Sequence, residues 1–202
     1  MPTRHERMKQ DAELQRKKRR QKIFLGVGAV IAIGIVFALV AMSGGLNSPP
    51  AALAATSAAA VTNPTCTSVQ SFPMQGQVHI APNQSHPPYN SNPPTSGWHA
   101  DTPQNPGIYG SPQVQEQLVH NLEHGFIVIQ YNNLAPSDAQ KLVEIVQRDR
   151  YHTILAPYPQ MPADVRVALT AWTRLQYCTG VSEKDILAFV SAYRDQGPEK
   201  VP

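Results

Sequence analysis

Apolar residues fall in three kinds of pattern along the 202-residue chain. Ile23 to Met42, IFLGVGAVIAIGIVFALVAM, is an uncharged run of twenty residues, enough for a helix to cross a bilayer core of about 30 Å. Phe126 to Tyr131, FIVIQY, is short and nearly continuous, which predicts an interior strand covered on both faces. Thr153 to Ala156 reads as another short strand, and Val165 to Trp172 as a further apolar segment with strand preference. Helical spacing is the third pattern. From a cap at Ser137 to about Asp149, Ala139, Leu142, Val143 and Val146 share one side, with Lys141, Glu144 and Arg148 on the other. From a cap at Ser182, with Asp185 three positions on, Ile186, Phe189, Val190 and Tyr193 form the inward stripe of a last helix. Strand, helix and strand over 126–156 predict a crossover unit.

Between Cys66 and Pro112 the chain is crowded with Pro, Asn, Ser and Gly. Loops and short strands are expected there, Gln77 to Ile80 being the best strand. Next comes SPQVQEQLVHNLEHGFIVIQY, Ser111 to Tyr131. Ser111 suits a helix cap, Pro112 the first helical position and Gly125 a left-handed stop, so the helix is expected to end at His124 and turn straight into a strand. The whole predicts an α+β architecture, one small mixed α/β domain of about 135 residues, large enough for a real core.

Charge divides the chain. Residues 1–22 hold nine of the seventeen Lys and Arg against three of the fourteen Asp and Glu, which leaves eight basic and eleven acidic residues beyond the apolar run. The basic character therefore belongs to the tail, and the rest carries no nucleic-acid surface. The positive-inside rule puts residues 1–22 in the cytoplasm, against anionic lipid headgroups, residues 23–42 across the plasma membrane as a single-pass anchor, and the remainder outside. A cleaved signal peptide, with Ala52-Leu53-Ala54 as its site, competes with this; the run is longer than a signal core of roughly 7 to 15 residues and the site lies far past it, so an uncleaved anchor is favoured. Residues 43–64, small and rich in Ala, Ser and Pro, form a spacer, and residues 65–202 the extracytoplasmic domain. Cys66 and Cys178 lie where oxidation is permitted, so a disulfide is expected; thiolate metal ligation is the alternative, but the pair lacks Cys-x-x-Cys spacing.

Several stretches resemble a known family. Asn92-Pro93-Pro94-Thr95-Ser96-Gly97-x-His99, Gly107-x-Tyr109, Leu118-Val119-His120-Asn121-Leu122-Glu123-His124-Gly125, Tyr131, and Ala171-Trp172 ahead of Cys178 are similar to the signatures of bacterial membrane-anchored proteins grouped as domain of unknown function family 3105. The resemblance spans most of residues 76 to 199. It implies an N-terminal anchor and an extracytoplasmic domain, and it implies no activity.

Six of the seven histidines fall in the outer domain: His79, His86, His99, His120, His124 and His152. His120 and His124, four apart, share a helical face, while Glu123 points to the side. His99 follows a loop stiffened by two prolines and turned by Gly97, and His79 belongs to a short strand. Three or four imidazoles, His79, His99, His120 and His124, can therefore converge as a metal site for copper or zinc, with Met74 or Met161 favouring copper if either joins. Against this, His120 and His124 serve equally as helix-end cations, and His99 as a ring hydrogen-bonded to backbone in a turn that packs Trp98. A second hypothesis reads His120, Glu123 and His124 as the inverted zinc-peptidase motif, Glu123 being the base that activates water. A third is a non-catalytic domain that docks an envelope protein of unidentified kind; no nucleotide loop, Gly-x-Ser-x-Gly elbow or redox Cys-x-x-Cys speaks for other chemistry.

Overall fold

The computed structural model describes residues 58–81 and 84–200. The expected tail, membrane helix and most of the spacer lie outside the described residues. Among the described residues no helix is long and apolar enough to cross a membrane.

In chain order the elements are β1 (Gln70–Ser71), β2 (His79–Ile80), β3 (His99–Ala100), β4 (Gly107–Ile108), α1 (Gln115–Glu123), β5 (Ile127–Tyr131), α2 (Pro136–Arg148), β6 (Thr153–Pro157), β7 (Val167–Ala171), β8 (Arg174–Cys178) and α3 (Glu183–Tyr193). Six strands make a mixed sheet in the order β1-β8-β7-β5-β6-β4, while β2 and β3 form a separate parallel ribbon. The β1–β8, β8–β7 and β7–β5 pairs are antiparallel; β5–β6 and β6–β4 are parallel. This is the expected α+β domain, and β5, α2 and β6 are the expected crossover unit.

Strand alternation explains why β5 is apolar almost throughout. Ile127, Ile129 and Tyr131 point to one face, where α2 (Leu142, Val143, Ile145, Val146) and α3 (Ile186, Phe189, Val190) pack. Val128 points to the other, joining Ile154 beneath Leu118 and Leu122 of α1. The stripes predicted for α2 and α3 are buried as expected, except that Tyr193 is only half-buried.

Some boundaries differ from expectation. Helix α1 starts at Gln115, with Val114 in the cap position and no side-chain cap. Ser111 and Pro112 belong instead to a preceding turn, in which Gln113 Nε2 donates to the Ser111 carbonyl at 2.7 Å. Helix α2 starts one residue before Ser137, because Pro136 with its fixed φ takes the first helical position after Ala135. Ser182 does cap α3 by position, but its hydroxyl donates to the Asp185 carboxylate rather than accepting a backbone N–H. The strand expected over Gln77 to Ile80 contracts to His79–Ile80. Strand β8 was not anticipated: Thr173 reverses the chain at φ +61 with no glycine or asparagine to announce a hairpin. Cys66 and Cys178 form the disulfide, 112 residues apart, which removes them as thiolate ligands.

Candidate metal centre

Two histidines are brought side by side by strand pairing. In the β2–β3 ribbon His79 is in register with His99, so both rings stand on the same side, 4.7 Å apart between centroids and edge to face. The loop ahead of His99 is built to hold it. Residues 93–97 are buried, the Asn92–Pro93 peptide is cis, and the Thr95 carbonyl accepts the Thr173 N–H at 2.9 Å. Gly97 sits at φ +116, and a Cβ there would lie 3.2 Å from Gln75 Cβ. That backbone shape turns the Gly97 carbonyl back onto His99 Nδ1, 2.7 Å away. Trp98 is half-buried and stacks on His86 rather than entering the core.

Helix α1 supplies the other side. Gly125 ends it at φ +83, which frees the chain to enter β5 and leaves His120, Glu123 and His124 at the corner. His120 Nδ1 lies 2.6 Å from the Ala100 carbonyl. A carbonyl only accepts, so both His99 and His120 carry a proton on Nδ1, which in the neutral ring leaves the lone pair on Nε2, the arrangement that backbone partners impose on metal-bound imidazoles. The His79 ring stacks on His120 at 5.1 Å and 4°. His124 meets His120 from its other side, with the two Nε2 atoms 3.0 Å apart.

Glu123 sits among these rings with its side chain 3% exposed. Its Oε1 accepts Gln77 Nε2–H at 2.8 Å. Its Oε2 lies 2.9 Å from His99 Nε2 and 3.9 Å from His79 Nε2. His99 is fully buried, and its Nε2 has no hydrogen-bond partner. Two triads of donor atoms result, His79/His99/His120 and His120/Glu123/His124, each within 4.8 Å of one another. First-row ions bind such nitrogen and carboxylate donors at about 2.0 to 2.2 Å, so modest contraction of either triad accommodates one.

All four histidines expected at the centre are in or beside it. His86 is not: it faces Glu116 at 3.4 Å. His152 pairs with Asp195 at 2.7 Å. Met161 packs in the core with Tyr158 and Leu175 and Met74 lies exposed on the surface, so the donors brought together are nitrogen and oxygen. Two participants carried no sequence signal as site residues. Gln77 orients the carboxylate across 46 residues of chain, and Glu199 reaches within 3.5 Å of His124 Nε2. Burial pushes the His124 pKa down, and the neighbouring His120 adds to this, while Glu199 and Glu123 pull it back up.

The family model described as Protein of unknown function (DUF3105) matches residues 79–202, a span that begins at the first clustered histidine and contains every donor named above. No curated protein and no solved structure matches the chain.

Proposed function

The chain belongs to the DUF3105 family, whose function is unknown, and we propose that its domain is a histidine-based metal-binding module. One observation carries this reading. The bare Nε2 of His99, fully buried, faces a buried carboxylate oxygen at 2.9 Å without a hydrogen bond. With the ring neutral, two lone pairs are held together there in a low-dielectric interior and repel; a cation between them turns the repulsion into attraction, and the missing hydrogen bond speaks for a metal ion over a shared proton. The Nδ1 bonds of His99 and His120 to backbone carbonyls support the same reading, because they fix both rings with Nε2 inward. Nitrogen and carboxylate donors suit Zn2+ or Cu2+ better than Cu+.

The geometry speaks less well for a hydrolase. Glu123, the base in that reading, is engaged by Gln77 and faces His99, so it serves as a ligand and not as a free acceptor for a water proton. We place the module outside the plasma membrane, held by residues 23–42 with the basic tail against anionic lipid; the disulfide supports an oxidising compartment.

Metal analysis of the purified full chain, dialysed against Zn2+ and against Cu2+, tests the reading. One bound equivalent is expected, held more weakly in His99→Ala that retains its circular dichroism. A wild-type chain that binds neither ion overturns the proposal and leaves a docking domain. Carbonate-washed membranes should retain the chain, and release into the wash would remove the anchor.

A further inference from the structure

The two donor triads overlap at a single atom. His120 Nδ1 is committed to the Ala100 carbonyl, so His120 offers only Nε2, and one lone pair binds one ion. The triads therefore cannot be filled together. The rings are also arranged in sequence: His79 and His99 pack against His120, and His120 packs against His124. Beyond His124, the Glu199 carboxylate stands 3.5 Å away.

Exposure follows that sequence. The middle donors are closed off, with His99, His120 and Glu123 all buried. The terminal ones are open, His79 at 51% and Glu199 at 55% of the side chain. A ligand that reaches solvent can be displaced by an incoming donor, whereas a buried one is shielded from it. Resting on the metal-binding reading above, we propose that the centre holds one divalent ion that moves between two positions, and that it is a transfer site. In the first position the ion is bound by His79, His99, His120 and Glu123. In the second it keeps His120 and Glu123, its bonds to His79 and His99 break, and bonds to His124 and Glu199 form. The ion's charge is unchanged and no electron is exchanged; His124 Nε2, which hydrogen-bonds His120 Nε2 at 3.0 Å, loses its proton to solvent as it binds the ion while Nδ1 takes one up, so the ring stays neutral. Two retained ligands mean that the ion is never released naked between the positions, and an incoming donor can capture it at either open end.

Co2+ reports this directly, since its visible spectrum changes with the ligand set. The full chain is titrated with Co2+ by equilibrium dialysis, alongside His79→Ala, His124→Ala and His120→Ala. The expected result is one equivalent in the wild type and one, more weakly held, in each of the His79 and His124 variants. Their spectra should differ from each other, and the wild-type spectrum should lie between them. His120→Ala should bind none while keeping its circular dichroism; if it does not fold, wild-type stoichiometry and the two terminal variants decide alone. Two equivalents in the wild type, loss of binding in either terminal variant, or identical terminal spectra overturns the two-position centre while leaving metal binding intact. No Co2+ in the wild type removes the underlying reading instead.

Discussion

Glu123 is the residue at which stability and binding are set against each other. Its carboxylate is buried, bonded by Gln77 at one oxygen and opposed by the bare His99 nitrogen at the other. In Glu123→Gln the amide oxygen still accepts from Gln77, and the amide N–H donates to His99 Nε2. The metal-free variant is therefore expected to gain about 1 kcal/mol, the net worth of one buried hydrogen bond, and to lack the rise in melting temperature expected of the wild type with Zn2+. Thermal melts with and without Zn2+ check both halves; a variant less stable than wild type without metal contradicts the lone-pair account. His124 gives a second residue-level expectation. Its folded pKa lies below its unfolded one, chiefly through burial and then His120. The unfolded chain thus binds the proton first on acidification: stability is complete above about pH 6.5 and is lost as pH falls through the folded value. Melts of the metal-free protein from pH 7.5 downward should show the loss, and His124→Gln should flatten part of it. The four-residue spacing of His120 and His124 was legible in the sequence because helical periodicity is local. That His79 stands beside His99 was not, because it depends on the register of two-residue strands too short to show a period.

The corner between α1 and β5 puts these donors where they are. Gly125 has φ +83, and a Cβ there would come within 2.8 Å of Asp195 Cα, in the segment that follows α3. That segment is tied on by the Asp195 N–H to the Gly125 carbonyl at 2.8 Å, and it carries Glu199 toward His124. Gly125→Ala therefore meets both left-handed strain, about 1 to 3 kcal/mol, and a backbone contact that cannot give. The expected outcome is a lower urea midpoint together with faster proteolysis of the segment beyond Arg194; an unchanged midpoint would show that the segment moves aside freely. Gly125 was readable as a helix stop, and β5, α2 and β6 from their patterns, because burial on one or both faces leaves a periodic mark. The start of α1 was misread because Pro112 fits a turn as well as a first helical position. The β8 strand was missed although Arg174-Leu-Gln-Tyr-Cys alternates, because the turn before it places Thr173 at positive φ, where sequence rules expect Gly or Asn.

At the scale of the whole domain, the scaffold and the centre are joined to the sheet at different places. The disulfide fastens Cys66 to Cys178, at the last residue of β8. The β7–β8 turn is at the other end of the hairpin, and there Trp172 packs against the cluster formed by Leu118, Leu122, Phe126, Val128 and Ile154 and edges onto His99. Five residues of strand separate the two ends, about 17 Å. Closing a loop across 112 residues restricts the unfolded chain by about 4 to 5 kcal/mol in the chain-entropy account, while the candidate donors depend on ribbon register, on α1 and on the Pro93–Gly97 loop, none of which contains a cysteine. Replacing both cysteines, Cys66→Ala with Cys178→Ala, should therefore lower the urea midpoint steeply, yet leave one equivalent of Co2+ bound with an unshifted spectrum wherever the protein is still folded. If metal is lost in step with the disulfide, the centre is held by global tension and not by its local bonds. If only stability falls, the domain needs an oxidising compartment to persist, and the imidazole and carboxylate donors, unlike thiolates, remain competent in that same compartment.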